Sequence, residues 1–256
     1  LLPNGRRIFN VAIRTIQLYK GQAIYGVGGG ITWDSTWESE YREVHQKAAV
    51  LYRKQDRLQL ITTGKISQKC LLFEDQHLER LRKASRYFAF PFDAEEVRKK
   101  IEAECQACDA NQDYRLRISL SKSGEIEFSC QTLTPLSTSF CQAKLCLQEA
   151  NLQQAFTYFK TTHRPHLSLG GQEIIYHNKS GELLETSIGN LILKISGKLY
   201  TPPIRLGILP GIYRQYLLET GQVEEKVLTL ADLAQAETIY GCNAVRGLYE
   251  LSLEEN

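Results

Sequence analysis

Methionine is absent from all 256 positions of the sequence, so we expect the natural chain to begin upstream of Leu1. The sequence also lacks an apolar run long enough to cross a bilayer, and its first residues lack the apolar segment of a signal peptide. An excess of charge is missing too, because 31 basic residues oppose 29 acidic ones for a net charge of +2. This balance predicts no general attraction to membranes or nucleic acid, so any anion site must be local.

The pattern of cysteines argues against a protein held together by disulfide bonds. The seven cysteines are odd in number and widely spaced, which is a poor basis for a disulfide framework. Cys105 and Cys108 have CxxC spacing, but no second pair follows at the distance that a zinc site requires. We therefore expect reduced thiols and a cytoplasmic protein.

The composition and periodicity indicate a globular protein of mixed secondary structure. Hydrophobic residues make up 43% of the chain and charged residues 23%. Asp93 has the position of a helix cap, and alternation around Lys122–Gly124 predicts a β-hairpin. We expect a buried strand over 8–14 and a glycine turn in Gly26–Ile31 that enters another strand. Mixed strands and helices without repeats predict an α+β (mixed α/β) fold. The expected helices are 38–54, 76–88, 94–107, 211–220 and 230–236.

Polar residues and glycines in the first fifty positions have the chemistry of a dicarboxylate site. Arg14 can grip a carboxylate through two parallel hydrogen bonds, and the glycine backbone around Gly29 can approach one closely. Glu40 and Glu43 share a predicted helix face, where two carboxylates can hold magnesium. The candidate residues are Arg14, Gly28, Gly29, Gly30, Glu40, Glu43 and Lys47.

In order and spacing, this set resembles the C-terminal end of the chorismate-utilising enzymes, a family that includes anthranilate synthase and aminodeoxychorismate synthase component I. The resemblance implies that the arginine, the lysine and the glycine backbone bind chorismate, and that the two glutamates hold magnesium only in an intact domain. Only about fifty residues of a much larger domain are present, so we predict a remnant over 1–55 that cannot turn over chorismate alone. For a full-length fusion, the resemblance implies a glutamine amidotransferase partner.

A second succession of motifs runs through the rest of the chain. Its members are HLERL at 77–81, FKTTHR at 159–164, ELLETSIGNL at 182–191, GILPGIYR at 207–214 and NAVRG at 243–247. This succession resembles the class IV aminotransferases, which include branched-chain and D-amino-acid aminotransferases and aminodeoxychorismate lyases. The resemblance implies a pyridoxal 5'-phosphate cofactor, a homodimer, and a D-amino-acid aminotransferase-like fold of two subdomains. We place the small subdomain at 56–155 and the large one, with the cofactor lysine, at 156–256.

The residue chemistry fits the roles that this resemblance implies. A buried amine beside cations loses its proton at neutral pH, as the lysine that reacts with the cofactor must, and Lys160 is the match. Glu185 matches the carboxylate that keeps the pyridine nitrogen protonated, and Arg80 supplies charge to the phosphate. Arg164 either holds the cofactor or pairs with an acidic neighbour. The cofactor-binding candidates are Lys160, Glu185, Arg80, Gly211, Ile212, Asn243, Ala244, Val245 and Arg164.

Two observations favour a lyase over a transaminase. The N-terminal remnant resembles the enzyme that makes the lyase's substrate, so a fusion would run consecutive steps of folate synthesis. The hydroxyl of Thr63 lies where lyases of this family often have a threonine, and it can donate a proton to a departing enolpyruvyl group. We therefore predict conversion of 4-amino-4-deoxychorismate to para-aminobenzoate and pyruvate, with Lys160 and Thr63 as catalytic residues. A branched-chain or D-amino-acid aminotransferase, an inactive cofactor-binding relative and a non-catalytic binding module are the alternatives.

Overall fold

A computed structural model of the chain describes residues 15–52, 58–136, 142–148, 155–167 and 172–254. The chain divides into two compact units, Leu1–Asp56 and Arg57–Asn256. Helices and strands are both abundant, which confirms the predicted α+β class. No helix in these described ranges is long and apolar enough to cross a membrane.

The N-terminal unit contains a β-hairpin and a helix. Its elements are β1 (Thr15–Tyr19), β2 (Gln22–Gly26) and α1 (Trp37–Tyr52). The strand expected over 8–14, and with it Arg14, lies outside the described residues. The strand expected after Gly30 is wrong, since 27–32 has no regular secondary structure. Ile31 is 81% exposed, so no packing surface favours an extended conformation there.

The second unit begins with a four-stranded antiparallel sheet in the order β4-β3-β5-β6. Its elements are β3 (Leu60–Ser67), β4 (Cys70–Leu71), α2 (Glu74–Phe88), α3 (Ala94–Ala107), β5 (Tyr114–Leu120) and β6 (Ile126–Thr132). The Asp93 carboxylate accepts hydrogen bonds from the N–H groups of Glu95 and Glu96, which confirms the predicted cap. The predicted hairpin is β5–β6.

Alternation along β5 decides which side chains enter the core of this sheet. Leu116, Ile118 and Leu120 are buried among the apolar residues of α2 and α3. Arg115 and Arg117 fall on the opposite face, because successive side chains of a strand point to opposite sides. One face of the sheet is therefore a core, and the other carries charge.

An eight-stranded sheet completes the second unit, in the order β12-β11-β10-β13-β14-β7-β8-β9. Strand β9 also pairs with β10 through Glu185 and Asn190, so six of the strands close into a ring. Its strands are β7 (Gln142–Leu147), β8 (Glu173–His177), β9 (Leu183–Thr186), β10 (Asn190–Ile195), β11 (Lys198–Thr201), β12 (Glu224–Glu225), β13 (Thr238–Asn243) and β14 (Gly247–Leu253). The remaining helices are α4 (Ala155–Tyr158), α5 (Ile212–Glu219) and α6 (Leu230–Gln235).

Candidate active site

Backbone hydrogen bonds hold Lys160 beside the start of β3. The Ile61 N–H donates to the Lys160 carbonyl at 2.9 Å, and the Thr162 N–H donates to the Gln59 carbonyl at 3.0 Å. Lys160 thus follows α4 directly and lies along the strand that carries Thr63. Thr63 shares its face of the sheet with Ile61, and its cross-strand partner on β5 is Arg117.

The turn between β9 and β10 places Glu185 and Asn190 opposite each other. Both side chains hold the backbone of the same residue, Leu209. The Leu209 N–H donates to Glu185 Oε2 at 3.3 Å, and Asn190 Nδ2 donates to the Leu209 carbonyl at 2.8 Å. Both side chains are buried, so the segment entering α5 is fixed against the ring of strands.

Gly211 caps the N-terminus of α5 without a side-chain hydrogen bond. A Cβ atom at this position would lie 1.9 Å from Asn190 Oδ1, so only glycine fits the closely packed backbone. The first N–H groups of α5 have no intrahelical partner, and the positive end of the helix dipole favours an anion. Arg80 approaches the same place, because its Nη2 donates to the Pro210 carbonyl at 2.8 Å.

Packing of α2 against β3 positions Arg80. His77, three residues earlier on α2, is fully buried and hydrogen-bonds through Nδ1 to Thr62 Oγ1 at 2.6 Å. A Cβ at Gly64 would lie 2.5 Å from His77 Nε2, so glycine is required for this close approach. Burial, then the charges of Arg80 and Lys160, lower the pKa of His77 to about 3. His77 is therefore a neutral packing residue that sets the position of the helix.

The turn between β13 and β14 contributes Asn243, Ala244 and Val245. The Asn243 carboxamide oxygen accepts hydrogen bonds from the N–H groups of Val245 at 3.0 Å and Arg246 at 2.9 Å. The Val245 N–H, which belongs to a predicted cofactor-binding residue, is therefore held within the turn by the side chain of Asn243. The turn borders the same cavity as the start of α5.

These elements surround a cavity of about 660 Å³. Every residue that the sequence resemblance assigned to catalysis or to the cofactor lines it. These residues are Thr63, Arg80, Lys160, Arg164, Glu185, Gly211, Ile212, Asn243, Ala244 and Val245.

The electrostatics of the cavity favour a reactive amine. Burial contributes most, and the charges of Arg80 and Arg164 come next, in lowering the pKa of Lys160 from 10.5 to about 7. Burial raises the pKa of Glu185 to about 7, against the opposing charge of Arg164. The Arg164 Nη2 and Glu185 Oε1 atoms lie 3.6 Å apart, with both side chains almost completely buried. Arg164 therefore pairs with an acidic neighbour, which was one of its two predicted roles.

The cavity fits pyridoxal phosphate by the polar groups that it leaves open. Within the described part of the chain, Glu185 Oε1 is buried and has no hydrogen-bond partner, although Oε2 has one. An uncapped helix start with an adjacent arginine suits the phosphate, and an amine with a pKa of about 7 suits the aldehyde. The donor set therefore matches the phosphate, ring nitrogen and aldehyde of the group.

Five candidates in the N-terminal unit also come together, namely Gly28, Gly29, Glu40, Glu43 and Lys47, whereas Arg14 lies outside the described residues. A Cβ at Gly29 would lie 3.1 Å from Glu40 Oε2, 3.5 Å from Glu43 Oε1 and 3.6 Å from Lys47 Nζ. The Lys47 ammonium pairs with Glu43 and donates to the Gly28 carbonyl at 2.9 Å. A Cβ at Gly30 would meet no described atom within 4 Å. Among the described residues, no three acidic, histidine or cysteine side chains gather as a metal site.

The lining residues that the sequence did not predict include three arginines and an asparagine: Arg115, Arg117, Arg246 and Asn190. Alternation in β5 already indicated that Arg115 and Arg117 share the face away from the core. Asn190 and Arg246 belong to the family-like motifs ELLETSIGNL and NAVRG. Whether their side chains face the cavity depends on how the strands pair, which periodicity does not reveal.

Fold and site together define the class. The family description "Amino-transferase class IV" matches residues 59–252, and the chain belongs to this family. A second description, "chorismate binding enzyme", matches residues 1–53. The predicted resemblances at both ends of the chain are confirmed.

Three relatives show the range of proteins to which the chain is similar. It is 24% identical to aminodeoxychorismate lyase from Saccharomyces cerevisiae, over 78% of this chain and 71% of that protein. It is 27% identical to a protein named probable branched-chain-amino-acid aminotransferase from Thermotoga maritima, over 70% of this chain and 73% of the relative. The crystal structure of 4-amino-4-deoxychorismate lyase from Pseudomonas aeruginosa has the same fold, with a TM-score of 0.60 and 20% identity. The match covers 77% of this chain and 84% of that chain.

Proposed function

We propose that the chain is a pyridoxal-phosphate-dependent lyase that converts 4-amino-4-deoxychorismate to para-aminobenzoate and pyruvate. The observation that carries the choice of reaction is the match of residues 1–53 to chorismate-binding enzymes, in one chain with the class IV match. A synthase of that type makes the substrate that such a lyase consumes. The similarity to the yeast lyase supports the same choice.

Lys160, Glu185 and Arg80 would hold the cofactor at its aldehyde, ring nitrogen and phosphate. The start of α5 at Gly211 and Ile212 would add backbone donors for the phosphate, beside Asn243, Ala244 and Val245. The bound cofactor supplies an electron-withdrawing ring, conjugated to the substrate nitrogen. Glu185, whose pKa is raised to about 7 by burial, would keep a proton at the ring nitrogen, and Arg164 pairs with that carboxylate.

Two side chains would move protons. Lys160 Nζ, whose pKa is lowered to about 7, would in its neutral form take the proton from the substrate ring carbon that bears the nitrogen. Thr63 Oγ1 gives a proton to the ether oxygen as the carbon–oxygen bond to the enolpyruvyl group breaks. The proton gained by Lys160 balances the proton given by Thr63, so no co-substrate is consumed. The ring becomes aromatic, which makes the step strongly favourable.

The test is turnover with one substrate. 4-Amino-4-deoxychorismate alone should give para-aminobenzoate and pyruvate over many turnovers, without any keto acid. Thr63→Val should slow this reaction and leave the absorbance of the bound cofactor unchanged, because it removes only a hydroxyl. Thr134→Val is the matched control, since Thr134 also lines the cavity but lies beyond β6, outside the segment that carries Lys160.

The second candidate is an aminotransferase, which the similarity to the Thermotoga protein favours. A parallel assay therefore supplies D-alanine or leucine with 2-oxoglutarate. Sustained glutamate formation there, without aromatic product from aminodeoxychorismate, would overturn the lyase assignment. The homodimer, the cytoplasmic location and an amidotransferase partner for a longer fusion belong to the same proposal, and sedimentation of the holoenzyme tests the dimer.

A further inference from the structure

The cavity carries more positive charge than the cofactor explains. Six cationic side chains line it, and Glu185 is the one carboxylate among its lining residues. Arg164 pairs with Glu185, Arg80 lies at the proposed phosphate site, and Lys160 is the amine proposed to bind the cofactor aldehyde. Three arginines are left, and none of them forms an ion pair within the described ranges. They are Arg115, Arg117 and Arg246.

Arg115 and Arg246 come from different elements and line the same cavity, Arg115 on β5 opposite Gln131 of β6, and Arg246 through its bond to Thr134 just beyond β6. Arg115 lies on the charged face of β5 and is exposed, whereas Glu185 at the other end of the site is 3% exposed. Arg246 is the last residue of the β13–β14 turn, where its N–H donates to Asn243, and its guanidinium donates to the Thr134 carbonyl just beyond β6. Burial and then the neighbouring charge of Arg115 lower the pKa of Arg246.

Two guanidinium groups that line one cavity without an acidic partner make the space between them favourable for an anion. The Thr134 carbonyl fixes one of them in place, so the pair does not simply spread apart into solvent. Guanidinium groups bind carboxylates through paired hydrogen bonds, which makes a carboxylate the natural occupant.

The proposed substrate has a ring carboxylate on the side of the ring opposite its amine. Its amine must reach Lys160, and its ring carboxylate is para to the amine, so the carboxylate points away from the buried end of the cavity. Arg117 lies beside Thr63 in the sheet and is closer to the place proposed for the enolpyruvyl group. Arg115 and Arg246 are the remaining arginines that can bind the ring carboxylate.

We propose that Arg115 and Arg246 together bind the ring carboxylate of the substrate and so select a para-amino carboxylic acid. This inference rests on the proposed lyase function. The two arginines determine specificity and take no part in proton transfer, so they act on substrate binding and leave the chemical step unchanged.

The test compares the holoenzyme with Arg115→Gln, Arg246→Gln and Arg246→Lys. We expect each glutamine variant to raise KM for aminodeoxychorismate by about 10- to 100-fold, with kcat changed by less than about threefold, because one charged hydrogen-bonding partner is lost. Arg246→Lys should recover part of the loss. Arg86→Gln is the control, because Arg86 is an exposed residue of α2 outside the cavity.

A pair of inhibitors isolates the carboxylate. 4-Aminobenzoate should inhibit Arg246→Gln about 10-fold or more weakly than the parent, while neutral 4-aminobenzamide should inhibit both equally. An unchanged KM, or equal weakening by both inhibitors, would overturn the assignment. Loss of cofactor affinity with unchanged KM would also overturn it, and would move these arginines to the phosphate.

Calorimetric binding of the same two compounds to the holoenzyme separates this inference from the proposed function. If the parent makes no para-aminobenzoate, the lyase assignment fails, and calorimetry then decides the carboxylate site by itself. Binding of 4-aminobenzoate that Arg246→Gln weakens supports the site. Absent binding, or equal binding by both proteins, refutes it.

Discussion

Among the described glycines, Gly211 is the one at which an added side chain would collide most severely with a neighbour. An alanine Cβ there would lie 1.9 Å from Asn190 Oδ1, against the 3.4 Å at which ordinary contact begins. The Asn190 carboxamide would therefore have to move by about 1.5 Å. That carboxamide is 3% exposed and donates to the Leu209 carbonyl at 2.8 Å, so it has no free space and would lose its hydrogen bond.

We expect Gly211→Ala to lower the free energy of unfolding by about 2–6 kcal/mol. Crowding of a packed site contributes about 1–3 kcal/mol. A buried Leu209 carbonyl without its donor contributes about 1–3 kcal/mol more. Cofactor affinity should fall as well, because the displaced segment includes the Pro210 carbonyl that orients Arg80.

Urea unfolding of the cofactor-free protein and titration with pyridoxal phosphate measure the two effects. Gly30→Ala is the control, since a Cβ at Gly30 meets nothing within 4 Å. Asn190→Ala should cost about 1–3 kcal/mol alone. The double variant should cost at most about 0.5 kcal/mol more than Asn190→Ala, because the colliding atom is gone. A stable Gly211→Ala protein, or a double variant in which the two costs add, would refute the steric argument.

The other predictions concern charge. Arg80→Ala should weaken cofactor binding by about 1.5–3 kcal/mol, because a charged hydrogen bond is lost, and an unchanged dissociation constant would contradict this. Glu185→Ala should keep the cofactor absorbance but lose most turnover, since an unprotonated ring nitrogen is a poorer electron sink; near-normal turnover would exclude Glu185 from this role. The pKa of Lys160 is lowered to about 7 in the folded protein and returns toward 10.5 on unfolding, so the unfolded chain binds more protons between these values. The free energy of unfolding of cofactor-free protein should therefore rise with pH across that window, and Lys160→Met should lack this increment in urea titrations at about pH 7 and about pH 9.5. Equal slopes for the two proteins would mean that the amine is solvated.

The sequence by itself determined the local elements with strong periodicity or a specific cap. Helix α3 has its predicted bounds because Asp93 satisfies two N–H groups at its start, a contact made within three residues. The β5–β6 hairpin follows from alternation around a short turn. The strand expected after Gly30 failed because an apolar residue alone does not supply a surface to pack against.

The sequence also indicated the residues of the cavity that occur in ordered motifs. Lys160, Glu185 and Arg80 are far apart in the chain, and only the succession of motifs connected them. Backbone pairing between distant segments brings them to one cavity. The segment of Lys160 hydrogen-bonds to the start of β3, and Glu185 pairs with Asn190 where the ring of strands closes.

Tertiary structure alone decided the electrostatics and the direction of several side chains. The lowered pKa of Lys160 depends first on burial and then on arginines from other elements, which no local pattern contains. Thr63 is directed to the cavity and Thr62 to His77, because the register of β3 assigns neighbouring residues to opposite faces. Arg115 and Arg246 likewise line one cavity only because a sheet strand and a distant turn are folded into the same unit, which local sequence patterns do not specify.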